Sequence, residues 1–440
     1  MQSFDASPFR RGLKKDGDLS IMKKLCIPAV LAALALVSPV GAEIAFNASD
    51  RVLVLAPHPD DEAIGAAGAI KRAVDAGASV NVVCLTNGDN NEIAFLVYKK
   101  HPVLSSKGLI RMGEARRRET IAAMDSMGIA ENNISFLGYP DFGTLAIFTG
   151  YWGDTKPYEA MLTKQKKVPY PEAVSFGAPY VGESILKDIK QVLTGYKPTV
   201  IFVSNPADSN SDHKALYLFL RVALWDLEGS MGPVKVYPYI VHVSGWPAPK
   251  GYHPAMDLKA PAELRSLSWE TVGLSGTEID SKHTAISKYR SQIEYDPPYL
   301  FSFARKNELF GDYLPLYLGS GLSNGLYRLA GDRLLITIQQ ASGDDKDRDF
   351  TVYLAGYRKG EDFSRMPKLH IRIDQDGLHC RDKYCRLYAK DISLTESGRS
   401  LTISVPLSTL GFPDRVLAHV SGRTEKMAAD DTNWRVLELE

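Results

Sequence analysis

Cysteine is scarce in this chain, four in 440 residues, too few for a disulfide framework to carry the fold. Net charge is missing: 52 basic side chains balance 52 acidic ones. No overall field therefore draws the protein to nucleic acid or to an anionic membrane, and neither partner is implied. Beyond residue 43 no apolar run is long enough to cross a bilayer, so stable membrane insertion is not expected. What remains is the composition of an ordinary globular protein, long enough for two domains with their own cores.

The N-terminus holds the longest apolar stretch. Met22-Lys-Lys begins a short basic region, Leu25 to Val37 is apolar, and Val40-Gly-Ala42 offers small residues for cleavage before Glu43. Together they describe a signal peptide, hence export to the periplasm or medium, with Met22 as the expected start and an uncleaved anchor as the alternative. Cys26 leaves with that leader, and Cys84, in the apolar run Val82 to Leu85, reads as a buried inert thiol. Cys380 and Cys385 are close enough to bridge in an oxidising compartment. A metal site joining them to His370 and His379 is the competing reading.

Three regions follow: an N-terminal extension and leader at 1–42, a first domain at 43–325 and a second at 326–440. From Arg51 onward β-like runs (Val52 to Leu55, Val80 to Leu85, Ile134 to Leu137, Thr199 to Val203, Val234 to Val243) alternate with helical ones (Lys107 to Met127, Glu183 to Leu193, Lys214 to Leu227). Such alternation predicts an α/β fold with a doubly wound, mostly parallel, Rossmann-like sheet. Ile185, Leu186, Ile189, Val192 and Leu193 follow helical spacing and should face that sheet. Thr149 to Pro179 and Trp246 to Pro254 are irregular but aromatic, and are expected to form an ordered rim around a site. After Tyr327 short alternating runs, of which Leu401-Thr-Ile-Ser-Val405 is the clearest, predict a β-sandwich.

The chemistry concentrates in Pro57-His-Pro-Asp-Asp-Glu62, on the loop where the first strand turns into a helix. In an open α/β sheet ligands bind at this end of the strands. A second cluster, Asn205-Pro-Ala-Asp-Ser-Asn-Ser-Asp-His213, has the same strand-loop-helix setting. A plainer reading makes Asp60, Asp61, Glu62 and Asp212 helix caps that complement the dipole.

Pro57 to Glu62 resembles the signature of the LmbE-like, or PIG-L, family of N-acetylglucosaminyl deacetylases, and Asp212-His213 resembles the family's distal Asp-His. Thr86-Asn-Gly88, Arg116 to Glu119, Leu137 to Asp141, Lys282 to Gln292 and Arg305 to Phe310 resemble its other segments, so the likeness runs from about residue 50 to 310. The resemblance implies a divalent ion, zinc or alternatively ferrous iron, held by His58, Asp61 and His213, with Asp60 as the base that activates water and then protonates the departing amine. Imidazole and carboxylate suit such an ion, and a carboxylate beside it can move the proton. The implied substrate is an N-acetylated amino sugar or glycoconjugate. Asn87, Arg116, Asp141 and His242 are candidates for shaping the pocket or binding the sugar, though Arg116 and Glu119 at i, i+3 also suit a surface ion pair.

One position departs from the family. Many members carry histidine where this chain has Asn210, placed to stabilise the oxyanion; asparagine donates a hydrogen bond but bears no charge. His242 or His253 are candidate replacements, and both also read as ordinary loop or strand residues. The stretch from Phe363 to Trp434 resembles sandwich modules of the DOMON and family 9 carbohydrate-binding type; a purely structural sandwich fits it equally. Two rival functions fit the same residues: an iron oxygenase using His58, Asp60 and His213 as a facial set, and a non-catalytic sugar-binding protein.

Overall fold

Val52 to Leu55 carry no polar face, so a strand made of them must be covered on both sides. In the computed structural model they form the middle of β1 (Arg51–Ala56), with every residue after Arg51 buried. The structure describes residues 44–91, 96, 105–319, 325–339, 349–383, 385–386, 391–422 and 433–439; the expected leader lies outside them. Among the described residues no helix is long and apolar enough to cross a membrane.

β1 is flanked by β2 (Ser79–Thr86) and, on its other side, by β4 (Val200–Ser204); β3 (Ile134–Tyr139) lies outside β2 and β5 (Lys235–Tyr239) outside β4. All four pairings are parallel. Two further strands, β6 (Ser268–Gly273) and β7 (Asn307–Asp312), extend the β5 edge antiparallel. The chain is thus mixed α/β, with strand order β3-β2-β1-β4-β5-β7-β6 in its first sheet. The antiparallel edge was not anticipated from the sequence, where Trp269-Glu-Thr-Val shows neither period cleanly.

The helices follow from composition. α1 (Asp61–Asp75) is rich in alanine and glycine because it lies tight on the sheet: a side chain at Gly65 would enter the ring of Tyr239. α2 (Ser106–Asp125) is capped by Ser105, and α3 (Thr144–Gly150) is a short helix after β3. α4 (Gly182–Tyr196) buries Ile185, Leu186, Ile189 and Leu193, as the spacing predicts. α5 (Ser211–Asp226) is apolar nearly all round, which requires cover on both faces.

That cover comes from the C-terminal strands. A four-stranded sheet, β15 (Ser393–Ser397), β16 (Ser400–Pro406), β10 (Arg333–Gln339) and β9 (Tyr327–Ala330), faces a seven-stranded one. The latter runs β14 (Cys385–Arg386), β13 (Gly377–Asp382), β12 (Lys368–Asp374), β11 (Phe350–Tyr357), β17 (Arg415–Gly422), β18 (Arg435–Leu439), β8 (Leu316–Leu318). Leu334, Ile336 and Ile338 alternate inward to meet Val352, Leu354, Ile371 and Val420 in a shared core. β8 lies before residue 325 yet pairs with β18. The opposite face of the larger sheet, through Ala355, Tyr357 and Leu417, joins the core around α3, α4 and α5.

Aromatic rings knit that junction. Phe148 on α3 meets Phe219 of α5 at 5.0 Å, Phe363 at 5.9 Å and Trp434 at 6.1 Å between ring centres. The buried Lys368 ammonium sits 4.0 Å above Phe363 and 4.6 Å above Trp152, and donates to the carbonyls of Phe363 and Met366. Burial pushes this lysine well below its ordinary pKa.

The anticipated Cys380–Cys385 bridge is not made: Cys380 is a free thiol inside the C-terminal core. The hairpin register pairs Cys385 with Asp382 and not with Cys380. Among the described residues no group of metal ligands forms around His370 and His379. The packing at Phe148 makes a direct forecast: Phe148→Ala should destabilise the protein by about 3–5 kcal/mol. Urea unfolding would show this as a lower midpoint, and an unchanged midpoint would mean the two halves do not brace each other.

Candidate functional site

The parallel strands all point their carboxyl ends at one edge, and each contributes a loop there. β1 delivers His58, Asp60 and Asp61; β2 delivers Asn87 to Asn91; β3 delivers Asp141; β4 delivers Asp208 and His213; β5 delivers His242. Chain direction across the sheet reverses between β1 and β4, the crevice position where open α/β sheets bind ligands. The two loops expected to cooperate are therefore neighbours in space.

His58, Asp61 and His213 converge with their ligand atoms within 4.8 Å of one another, all buried. Asp61 Oδ2 lies 3.1 Å from His58 Nδ1 and 3.1 Å from His213 Nε2, and it accepts the His58 backbone N–H at 2.9 Å. Behind His58, Nε2 lies 3.2 Å from both Asp141 Oδ1 and Asp212 Oδ2. Behind His213, Nδ1 lies 3.1 Å from Asp208 Oδ2. Each imidazole is therefore backed by carboxylate on the side away from Asp61, the arrangement that fixes ring orientation around metal sites.

Electrostatics match this geometry. Burial works against charge on every group here, yet the Asp141 carboxylate and its neighbours raise His58 well above its ordinary pKa, and Asp208 with Asp61 raises His213 to about 9. The charge on the nearby His213 ring, joined by His58, holds Asp61 well below the usual carboxylate range against the same burial. Such compensation is needed because uncompensated buried charge is unstable. The residues fit a cation as well: both ring nitrogens of the fully buried His213 lack an aligned hydrogen-bond partner, and two imidazoles with one carboxylate form a donor set suited to a zinc-like ion. His58 also groups with Asp141 and Asp212, and His213 with Asp208 and His242.

Asp60 stands at the N-cap position of α1 but makes no capping bond, and its φ is 125°, a conformation L-residues avoid and one that marks functional strain. Arg116 holds it, with Nη2 3.2 Å from Asp60 Oδ2 and 2.7 Å from the Pro59 carbonyl. Gly88, at φ 65°, is glycine because a side chain there would collide with that guanidinium. Burial pushes Asp60 up to about 8 despite Arg116. Capping thus does not account for Asp60, and at α5 the cap is Asn210, whose Oδ1 accepts from Asp212 N at 2.8 Å. Asp212 instead grips the β3 loop, accepting from Phe142 N at 2.5 Å and Thr144 N at 3.1 Å.

A pocket of about 390 Å³ opens over this cluster, lined by His58, Asp60, Arg116, Asp141, Asn210 and His242 together with Asn90, Asn91, Phe142, Gln292 and Tyr295. Asn87 is buried and is not among the lining residues; its Cβ packs toward Gly113. The anticipated rim, 149–179 and 246–254, contributes none of the lining residues either. Two of its aromatics turn inward instead: Trp152 and Tyr170 are buried, and Tyr170 donates to Asp89 at 2.6 Å, while Phe176 and Tyr252 face solvent. Sequence reasoning missed Asp208, Asn90, Asn91, Phe142 and Tyr295 as site residues. It also left the 282–292 stretch without a role, and the structure supplies one: Tyr289 donates to Glu62, whose Oε2 accepts the Asp60 backbone N–H at 3.1 Å, while Ser291 anchors on Glu119. His253 lies outside the pocket, its Nε2 3.1 Å from the Lys250 carbonyl.

Known proteins share this segment. The sequence profile of the family described as PIG-L, GlcNAc-PI de-N-acetylase, matches residues 53–224. A 1D-myo-inositol 2-acetamido-2-deoxy-alpha-D-glucopyranoside deacetylase of Mycobacterium sp. (strain KMS) is 29% identical over 130 residues, 30% of this chain and 36% of that one. A protein of the same description from Nocardioides sp. is 34% identical over 94 residues, 21% and 29% of the two chains. The matched stretch spans about a third of those relatives' length. Among solved structures, the N,N'-diacetylchitobiose deacetylase of Pyrococcus horikoshii with a bound inhibitor is 19% identical over 57% of this chain and 76% of its own, with a TM-score of 0.34. Residues 53–224 thus match the PIG-L family.

Proposed function

We propose that this protein is an exported, divalent-metal-dependent amide hydrolase that removes the N-acetyl group from an N-acetylglucosamine-type sugar or glycoconjugate. The first domain is read as Rossmann-like and doubly wound, and residues 326–440 as the body of a β-sandwich that braces it. The observation that carries the reading is the meeting of His58, Asp61 and His213 beneath a pocket whose wall is Asp60.

His58, Asp61 and His213 would hold the ion, zinc or ferrous iron. When bound, it would polarise the acetamide carbonyl and acidify a water. Asp60 would take a proton from the attacking water as its oxygen adds to the carbonyl carbon. As the C–N bond breaks, Asp60 returns the proton to the amine nitrogen, giving acetate and a free amino sugar. An acid-base group works best when its pKa lies near working pH, and burial has brought Asp60 into that range. Arg116 fixes its carboxylate. Asn210 has its oxygen committed to the helix cap, leaving the amide nitrogen to donate to the developing oxyanion. His242 lines the same pocket, its ring 4.8 Å from that of His213, and burial lowers its pKa; it acts as a neutral imidazole. The iron-oxygenase reading fits less well, because the ligands sit on loops between parallel strands and helices rather than on strands of a jelly roll.

Acetate release from N-acetylglucosamine-bearing compounds, with zinc or ferrous iron supplied, tests the reading. Asp60→Asn should retain the ion and lose about 10²- to 10⁴-fold in turnover; full activity would remove Asp60 as the base. Asp208→Asn, which loosens the carboxylate behind His213, should weaken metal affinity about 10- to 100-fold, read by competition with a chelator.

In the ion-free protein His213 holds its second proton up to about pH 9, and a ligand imidazole must be neutral. Metal binding should therefore expel at least one proton, and affinity should climb as pH rises from 6 toward 9. Calorimetry in buffers of different ionisation heat would show this, whereas buffer-independent heats would contradict it.

A further inference from the structure

Phe142 holds a large ring where the backbone least favours one. Its φ is 58° and the residue is 52% exposed, so neither conformational preference nor full burial explains an aromatic there. The conformation is imposed: the Phe142 N–H is gripped by Asp212 Oδ2 at 2.5 Å, Thr144 bonds the other carboxylate oxygen through N at 3.1 Å and Oγ1 at 2.5 Å, and Gly143 N closes a turn on the Pro140 carbonyl at 3.1 Å. The same Asp212 touches His58. The ring is thereby held 6.4 Å from the His58 ring, centre to centre, at the wall of the pocket. A second exposed aromatic, Tyr295, 45% accessible, lines that pocket too. The remainder of the lining is polar, with Asp60, Asn90, Arg116 and Asp141.

A pocket with charged and amide groups on its floor and solvent-facing rings at its wall suits a ligand with polar edges and an apolar face. A gluco-configured pyranose is such a ligand: its ring substituents are equatorial and its axial C–H bonds form flat apolar faces. We propose that Phe142, together with Tyr295, is a stacking platform for the C–H face of the sugar ring, and that it selects a cyclic N-acetylated sugar over an acyclic acetamide. Strain at Phe142 is kept because the aligned ring is useful there. The proposal rests on the deacetylase reading for the N-acetyl group, not for the platform itself.

The test uses the full chain loaded with zinc, and N-acetylglucosamine and acyclic N-acetylethanolamine as probes. Binding is read by calorimetry, and ring contacts by saturation-transfer NMR. Phe142→Ala should weaken N-acetylglucosamine binding about fivefold or more, the scale of one aromatic contact, and abolish saturation of the axial ring protons. N-acetylethanolamine binding should be unchanged, and Phe142→Tyr should restore sugar binding. Phe142→Gly should lose sugar binding likewise but melt no lower than wild type, because glycine suits φ 58°; a structural role would lower both. Phe412→Ala, at an exposed phenylalanine that also has positive φ (50°) but lies outside the pocket, serves as a control and should bind normally. Equal sugar binding by wild type and Phe142→Ala, equal losses for both probes, or no sugar binding by wild type would overturn the platform. Phe142-dependent binding without acetate release would uphold it and overturn the deacetylase reading instead.

Discussion

One carboxylate between two buried imidazoles is the constraint on which the rest depends. Asp61 stands 3.1 Å from His58 and from His213, in an interior where an unpaired charge would cost several kcal/mol. Its neighbours follow from that requirement. Asp141 and Asp212 back one ring, Asp208 backs the other, and each carboxylate is in turn held by backbone N–H groups of the adjoining loops. Loop conformation and site electrostatics are therefore one problem with one solution.

This explains the role of the C-terminal sheets better than a view of them as an appendage. The β3 loop that carries Asp141 and Phe142 runs straight into α3, and α3 inserts Phe148 among Phe219, Phe363 and Trp434. Two anchors thus fix the loop: Asp212 at its start and the aromatic junction at its end. A pocket wall that must keep a strained residue in place needs such support, since strained backbone persists only where the surroundings over-determine it.

Much of the fold was legible because strands buried on both faces and helices with one apolar stripe write their periods into the sequence. The parallel core from β1 to β5 and, in the C-terminal part, β16 lie within a few residues of where those periods place them. The ligand candidates were legible because His58, Asp61 and His213 sit in two similar strand-loop-helix settings. Asp208 was not, although it is only five residues before His213, because nothing in a loop sequence says which carboxylate will lie beneath a ring. Tyr295 was hidden by distance along the chain. The aromatic 149–179 segment misled for a physical reason: order requires burial, and Trp152 and Tyr170 turn to the core instead of the pocket. The cysteine pair misled because separation in sequence does not fix hairpin register.

The most direct test of the convergence of the two loops is anomalous diffraction at the zinc edge from crystals grown with one equivalent of zinc. A single peak within coordination distance of His58, Asp61 and His213, with Asp60 beside it, is the result this account predicts. A peak held by Asp208 and His242 instead, or no bound ion among these side chains, would contradict it.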